Sequence, residues 1–282
     1  MIRGLPPTLA EPSRTLLMGV VNVTPDSFSD GGLWLEPDVA VTHGLALLEQ
    51  GADLIDVGGE STRPGAGRVP IDEERRRVLP VIAALAGAGA VLSVDTTRAE
   101  VAAEALAAGA VIVNDVSGGL ADPRMVNVVA EAGVPYVLMH WRGHSDRMQE
   151  RARYDDVVAD VRAELSARLE AVTAAGVDPA QVILDPGLGF AKRPEHSWAV
   201  LAHIDELATL GRPLLVGASR KGFVGQALAG PDGVPRPVLE RDVASAALTV
   251  LAARAGVWAV RVHDVRASAD ALRMLAAWEQ AR

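Results

Sequence analysis

The chain of 282 residues contains no cysteine. Disulfide bonds and thiol chemistry are excluded, while the compartment is left open by that absence alone. Lysine is nearly absent too. Of 27 basic residues only Lys192 and Lys221 are lysines, and asparagine occurs only at Asn22, Asn114 and Asn127. In a chain biased toward alanine and arginine, these rare choices mark positions to inspect. No apolar run reaches the ~20 residues that a membrane-spanning helix needs. The most apolar stretch, Val81 to Leu92, is short and holds two glycines. The N-terminus, MIRGLPPTLAEPSR, has no sustained apolar segment of the signal-peptide kind. A soluble, cytoplasmic protein that engages no membrane is expected. A net charge of −9 argues against a general nucleic-acid binder, though not against a local cationic pocket. Zinc spacings of the HxH or HExxH kind, a GxSxG elbow and a P-loop are all missing, which disfavours a tightly held transition metal and a covalent serine.

What is present is a regular alternation. Hydrophobic residues make up 49% of the chain, enough for a sizeable core. Eight short apolar runs read as strands: Leu16–Val23, Asp53–Gly59, Ala90–Thr96, Ala110–Ser117, Pro135–Trp141, Gln181–Gly187, Pro213–Ser219 and Trp258–Asp264. Helical patterns lie between them, for example Arg98–Ala108 and Asp155–Ala175. Near-continuous apolar strands suit a parallel sheet covered by helices. Eight such units predict a single α/β domain, a (β/α)8 barrel over residues 15–282 behind a tail at 1–14. The rival, an open doubly wound sheet, lacks support because no GxGxxG follows the first strand.

In such a barrel the active site lies at the C-terminal ends of the strands. Those ends carry Asn22, Asp56, Asp95, Asn114 with Asp115, His140, Asp185, Ser219 with Arg220 and Lys221, and Arg261 with His263. Singly each could be structural; Asp95, for instance, could cap the following helix. All eight ends together predict a functional rim. Asn22, Asp95, Asn114 and Asp185 suit the donor–acceptor edge of a flat heterocycle, because a carboxylate grips an N–C–NH2 edge with two parallel hydrogen bonds. Arg63, Lys221, Arg261 and His263 are cationic and suit an anion such as phosphate. Lys192 reads as a surface lysine after the sixth strand, and His43, His144, His196 and His203 as structural or solvated.

The segments NVTPDSFSDGG, DVGGESTRPGA, SVDT, NDVSGG, MHWRG, DPGLGFAK, LVGASRKGFVG and VRVHDVR span Met18 to about Arg266. In that order they resemble the successive signatures of the dihydropteroate synthases, pterin-binding folate-pathway transferases that sulfonamides inhibit. The resemblance implies condensation of 6-hydroxymethyl-7,8-dihydropterin diphosphate with 4-aminobenzoate, using Mg2+, in a homodimer formed through the late helices. Carried over by position, Asp95, Asn114, Asp185 and Lys221 would bind the pterin, lined by Met139, Phe190 and Gly217. Asn22, Arg63, Arg261 and His263 would hold the diphosphate, Asn22 also ligating the metal. Thr62, Arg63, Pro64, Ser219, Lys221 and Phe28 would surround the aminobenzoate, and Asp95, Lys221, Arg63 and Phe28 would carry the chemistry. The weighed alternatives are a methyltetrahydrofolate-dependent methyltransferase, which has no use for the cationic set, and a non-catalytic pterin-binding paralogue.

Overall fold

The computed structural model describes residues 1–24, 37–61, 67–144 and 148–282. Eight strands run β1 (Leu16–Asn22), β2 (Leu54–Gly58), β3 (Leu92–Asp95), β4 (Ile112–Asp115), β5 (Tyr136–Met139), β6 (Val182–Asp185), β7 (Leu215–Val216) and β8 (Ala259–Val262). All pairings are parallel, in the order β6-β5-β4-β3-β2-β1-β8-β7. A parallel bridge between Leu184 and Leu214 joins the two ends of that order, so the sheet closes into a barrel. Helices follow the strands and cover its outside; the longest, Val157–Ala174, begins where the Asp156 carboxylate accepts from the N–H groups of Val158 and Ala159. The observed strands sit inside the expected runs, shorter by a residue or more at one or both ends. No described helix is long and apolar enough to cross a membrane.

Alternation along the strands builds two cores. Outward residues such as Leu17, Val21, Ile55, Val57, Val94, Leu138 and Leu184 pack under the helices. Inward residues Met18, Leu54, Ile112, Val137, Ile183, Leu215 and Ala259 form a second apolar cluster that fills the barrel floor. Two residues further along the same faces stand Asp56, Asn114, Met139, Asp185, Gly217 and Arg261. One pleat therefore separates an apolar floor from a polar ceiling. Burying aliphatic side chains of the floor's size is worth ~1.5–3 kcal/mol each, which offsets the cost of desolvating the layer above.

The segment before β1 is bound to the floor. Ile2, Leu9 and Ala10 are buried against it. Trp258 Nε1 donates to Leu9 O at 2.7 Å, and Arg3 N donates to Ala180 O at 2.9 Å. This end of the barrel is plugged, and the strands' C-terminal ends form the mouth.

Candidate active site

The polar ceiling is tied together across the barrel. Arg261 Nε donates to Asp56 Oδ2 at 2.7 Å, and another guanidinium nitrogen of Arg261 reaches Asp95 Oδ2 at 3.0 Å. Asn114 Nδ2 donates to the same Asp56 oxygen at 3.0 Å. Asp56 is 0% exposed; among the described residues its other oxygen has no hydrogen-bond partner, and Arg261 is the cation paired with it. Burial, and then the charge of Asp56, push the Asp95 carboxyl up to about 7, against the pull of Arg261. Burial alone opposes charge on Arg261, but Asp56 and Asp95 raise its pKa and hold it cationic. Asp95 does not cap the next helix: the first-turn N–H of Ala99 is bonded by Asp122 instead. It faces the barrel interior.

A cleft at this level is lined by Asp95, Asn114, Val116, Met139, Asp185, Phe190, Gly217, Ser219, Lys221, Arg261 and His263. The seven residues that the resemblance assigns to the pterin are on that wall, and Asn22, whose amide also suited a ring edge, is not among its lining residues; Val116 is an addition, as an apolar side chain that no polar pattern in the sequence marked. Burial raises the Asp185 carboxyl, opposed by Lys221 and by the Gly187 N–H that donates to Asp185 Oδ1 at 2.7 Å. Burial draws the Lys221 ammonium down to about 8. Lys221 donates to Leu188 O and lies over the Phe190 ring, 4.4 Å from its centre. His263 Nδ1 is 3.0 Å from Ser219 Oγ, and the His263 N–H donates to the same oxygen at 3.2 Å. The intervening Arg220 adopts a left-handed φ of 59° and turns away to Asp242, with a bidentate pair at 2.6 and 2.7 Å. That turn lets Ser219 and Lys221 both face the mouth.

The cations and the carboxylate–amide set, which the sequence presents as separate halves, thus share a wall: Arg261 is bonded to Asp95. Asn22 ends β1 beside them; a Cβ on Gly58 would lie 3.5 Å from Asn22 Oδ1 and 3.3 Å from Asp95 Cβ. A neutral amide oxygen at the mouth fits Mg2+, which takes few protein ligands and completes its shell with water and substrate phosphates. No group of three His, Asp or Glu able to hold a metal is found among the described residues. Phe28, Thr62, Arg63 and Pro64 lie outside the described residues.

Lys192 is a correction. It is not on the surface but 3% exposed, with its ammonium 2.9 Å from His140 Nδ1 and 3.1 Å from Gly187 O. The chain after β6 folds back so that the lysine is enclosed against His140 and Gly187, which strand-and-helix periodicity does not encode. Its rarity in an arginine-rich chain was the available signal. The bend depends on Gly187, whose φ is +65°, and whose Cβ, if present, would meet His140 O at 2.5 Å. Gly187→Ala should therefore cost at least ~2 kcal/mol of stability, read as a lowered denaturant midpoint. An unchanged midpoint would mean that the bend relaxes freely.

A closed parallel barrel with carboxylates, an amide and cations converging on one cleft at the strands' C-terminal ends has the make-up of a (β/α)8-barrel enzyme site. A family model described as pterin binding enzyme matches residues 18–263. The dihydropteroate synthase of Mycobacterium leprae is 57% identical over 263 residues, covering 93% of each chain. A solved Xanthomonas albilineans dihydropteroate synthase with 4-aminobenzoic acid superposes with a TM-score of 0.86 at 46% identity, covering 95% of this chain and 94% of that one. The enzyme from the same organism in complex with 7,8-dihydropteroate gives 0.83 at 44% identity, with the same coverage of each chain. The chain belongs to the pterin-binding enzymes and, within them, to the dihydropteroate synthase family.

Proposed function

We infer that this chain joins 6-hydroxymethyl-7,8-dihydropterin diphosphate to 4-aminobenzoate, releasing diphosphate and 7,8-dihydropteroate for folate synthesis. The observation that carries this reading is the single cleft in which Asp95, Asn114 and Asp185 stand opposite Lys221, Arg261 and His263. Neither rival needs both sets: a methyl transfer has no leaving diphosphate, and a silent pterin binder has no use for the cations.

The pterin lies on the carboxylate and amide wall, its N–H edge on Asp185 and Asn114, its faces against Met139 and Phe190. Arg63, Arg261 and His263 draw the diphosphate to the mouth. Asn22 would offer Mg2+ one oxygen, and the ion, when bound, would neutralise charge on the diphosphate. The C–O bond breaks first and its electron pair leaves with the diphosphate, so no strong base is required. Asp95, beneath the ring, supports the positive charge left on the pterin methylene. The amine nitrogen of 4-aminobenzoate, held by Thr62, Pro64, Ser219, Lys221 and Phe28, then attacks that carbon and loses its proton. In this reading the protein works in the cytoplasm as a homodimer. Val243 and Leu251 on the helix Asp242–Arg254, with Met274 and Trp278 on the helix Val265–Gln280, are exposed apolar residues that a second copy would cover.

The decisive assay follows diphosphate release with and without 4-aminobenzoate. Release that depends on Mg2+ and yields dihydropteroate in equal amount is expected. Pterin binding without any turnover would favour the silent paralogue.

A further inference from the structure

Five successive carbonyls, from Gly187 to Ala191, have no partner in regular secondary structure, and each accepts from a side chain. Lys192 Nζ donates to Gly187 O at 3.1 Å and to Phe190 O at 3.4 Å; Lys221 donates to Leu188 O. Gln149 Nε2 donates to Gly189 O at 3.1 Å, and the Tyr154 hydroxyl to Ala191 O at 3.0 Å. The segment carries strain that such bonds must hold, since Ala191 sits at a φ of +45°. It also carries Phe190, a wall of the pterin cleft, and Asp185, the residue expected to grip the pterin edge, lies two residues before it.

Lys192 donates to two of the five carbonyls, Gly187 O also accepting from the Phe190 N–H at 3.0 Å, and its third contact is His140 Nδ1 at 2.9 Å. An ammonium has three N–H donors and no acceptor, so these three contacts use it completely. His140 Nδ1 must then accept, which puts the ring proton on Nε2, where it donates to Glu164 Oε2 at 2.9 Å. Burial, reinforced by the Lys192 charge, draws His140 down to about 4, so the ring stays neutral and can accept. Glu164 is fixed in turn by Arg142, and it stands on the helix Val157–Ala174, outside the barrel. Asp185, on the other side, opposes the lowering of the Lys192 pKa that burial causes.

We propose that Lys192 is a positioning residue for the pterin, held by a Glu164–His140 relay, that fixes the Gly187–Ala191 segment and with it Phe190 and Asp185. It touches no substrate; it sets the shape of the wall on which the ring rests. The proposal rests on the dihydropteroate synthase reading of the cleft.

Lys192→Met leaves an unbranched side chain one atom shorter and removes its donors. Calorimetry with 6-hydroxymethylpterin should show affinity reduced roughly ten- to a hundredfold, the range expected when buried charged hydrogen bonds are lost. In turnover the Michaelis constant for the pterin diphosphate should rise while that for 4-aminobenzoate stays near its original value. Glu164→Gln leaves the fold's interior alone and weakens the relay from its outer end. Its pterin affinity should fall roughly two- to fivefold with the same asymmetry between substrates, as expected for one weakened charge-assisted hydrogen bond. If Lys192→Met does not fold, Glu164→Gln decides by the same measurements. Unchanged pterin affinity, or equal losses for both substrates, would overturn the proposal and leave Lys192 a purely structural group. The calorimetric comparison reads this inference whether or not the unaltered chain turns over, and turnover of the unaltered chain tests the dihydropteroate synthase reading separately.

Discussion

Asp185→Asn is expected to abolish most pterin binding while leaving the barrel folded. One oxygen of Asp185 already accepts from the Gly187 N–H at 2.7 Å. An asparagine would keep that bond with its carbonyl oxygen and so present its NH2 group to the cleft, where the ring's N–H edge also donates. Two donors would face each other, with the charge-assisted bond lost as well. The cost is on the order of 2–4 kcal/mol, roughly a thirty- to a thousandfold loss of affinity. The buried carboxyl is itself disfavoured as an anion, so its neutral replacement should change the melting temperature little. Calorimetry with a bare pterin, beside a thermal melt, separates the two quantities. Affinity equal to that of the unaltered chain would remove Asp185 from the pterin site.

The second large effect belongs to Arg261. If it bound only the departing diphosphate, Arg261→Ala would spare both the fold and affinity for a bare pterin. The bonds to Asp56 and Asp95 predict otherwise. Its removal strands two carboxylates in a water-poor layer, one of them fully buried. Breaking a buried pair by deleting one partner costs about 3–5 kcal/mol. Arg261→Ala should therefore destabilise the protein by that order, raise the Asp95 carboxyl further, and weaken bare pterin as well as diphosphate. A second substitution, Asp56→Asn, removes one stranded charge and should restore part of the stability, a coupling that a double-mutant cycle reads directly. His263→Ala is the contrast, since His263 Nδ1 is 3.0 Å from the Ser219 hydroxyl, and Arg261 is the residue bonded to Asp56 and Asp95. It should weaken the anion alone. Additive losses from Arg261→Ala and Asp56→Asn would show that the ion pair carries no net energy, and equal pterin losses in the Arg261 and His263 variants would refute the contrast.

Both expectations depend on knowing which features were local. The eight β-then-α units were legible because alternation and near-continuous apolarity are properties of neighbouring residues. The polar strand ends were legible for the same reason: in six of the strands one pleat converts an apolar floor residue into a residue of the ceiling, as from Leu54 to Asp56 or Ile183 to Asp185. Residue types at those ends also sufficed to propose a flat ring and an anion.

Partnership was not legible. Arg261 reaches Asp56 across 205 positions of sequence and Asp95 across 166, and no periodicity tells an inward arginine whether it will meet a ligand or a carboxylate. Barrel closure decides that by bringing β8 against β1 and then β2 and β3 around the same narrow space. The N-terminal residues read as a tail because they carry no repeat, yet burial of Ile2 and Leu9 seats them in the floor. Lys192 misled for a related reason. A lysine is exposed by default, since burying an ammonium costs more than any local pattern returns. Only three acceptors gathered from the chain after β5 and the bend after β6 make that burial tolerable, and they meet only when the barrel has closed. The sequence by itself determined the repeat, the layering and the chemistry at the rim, because these are written at short range; the tertiary structure decided which charges pair and which side chains are enclosed, because those depend on distances between strands far apart in the chain.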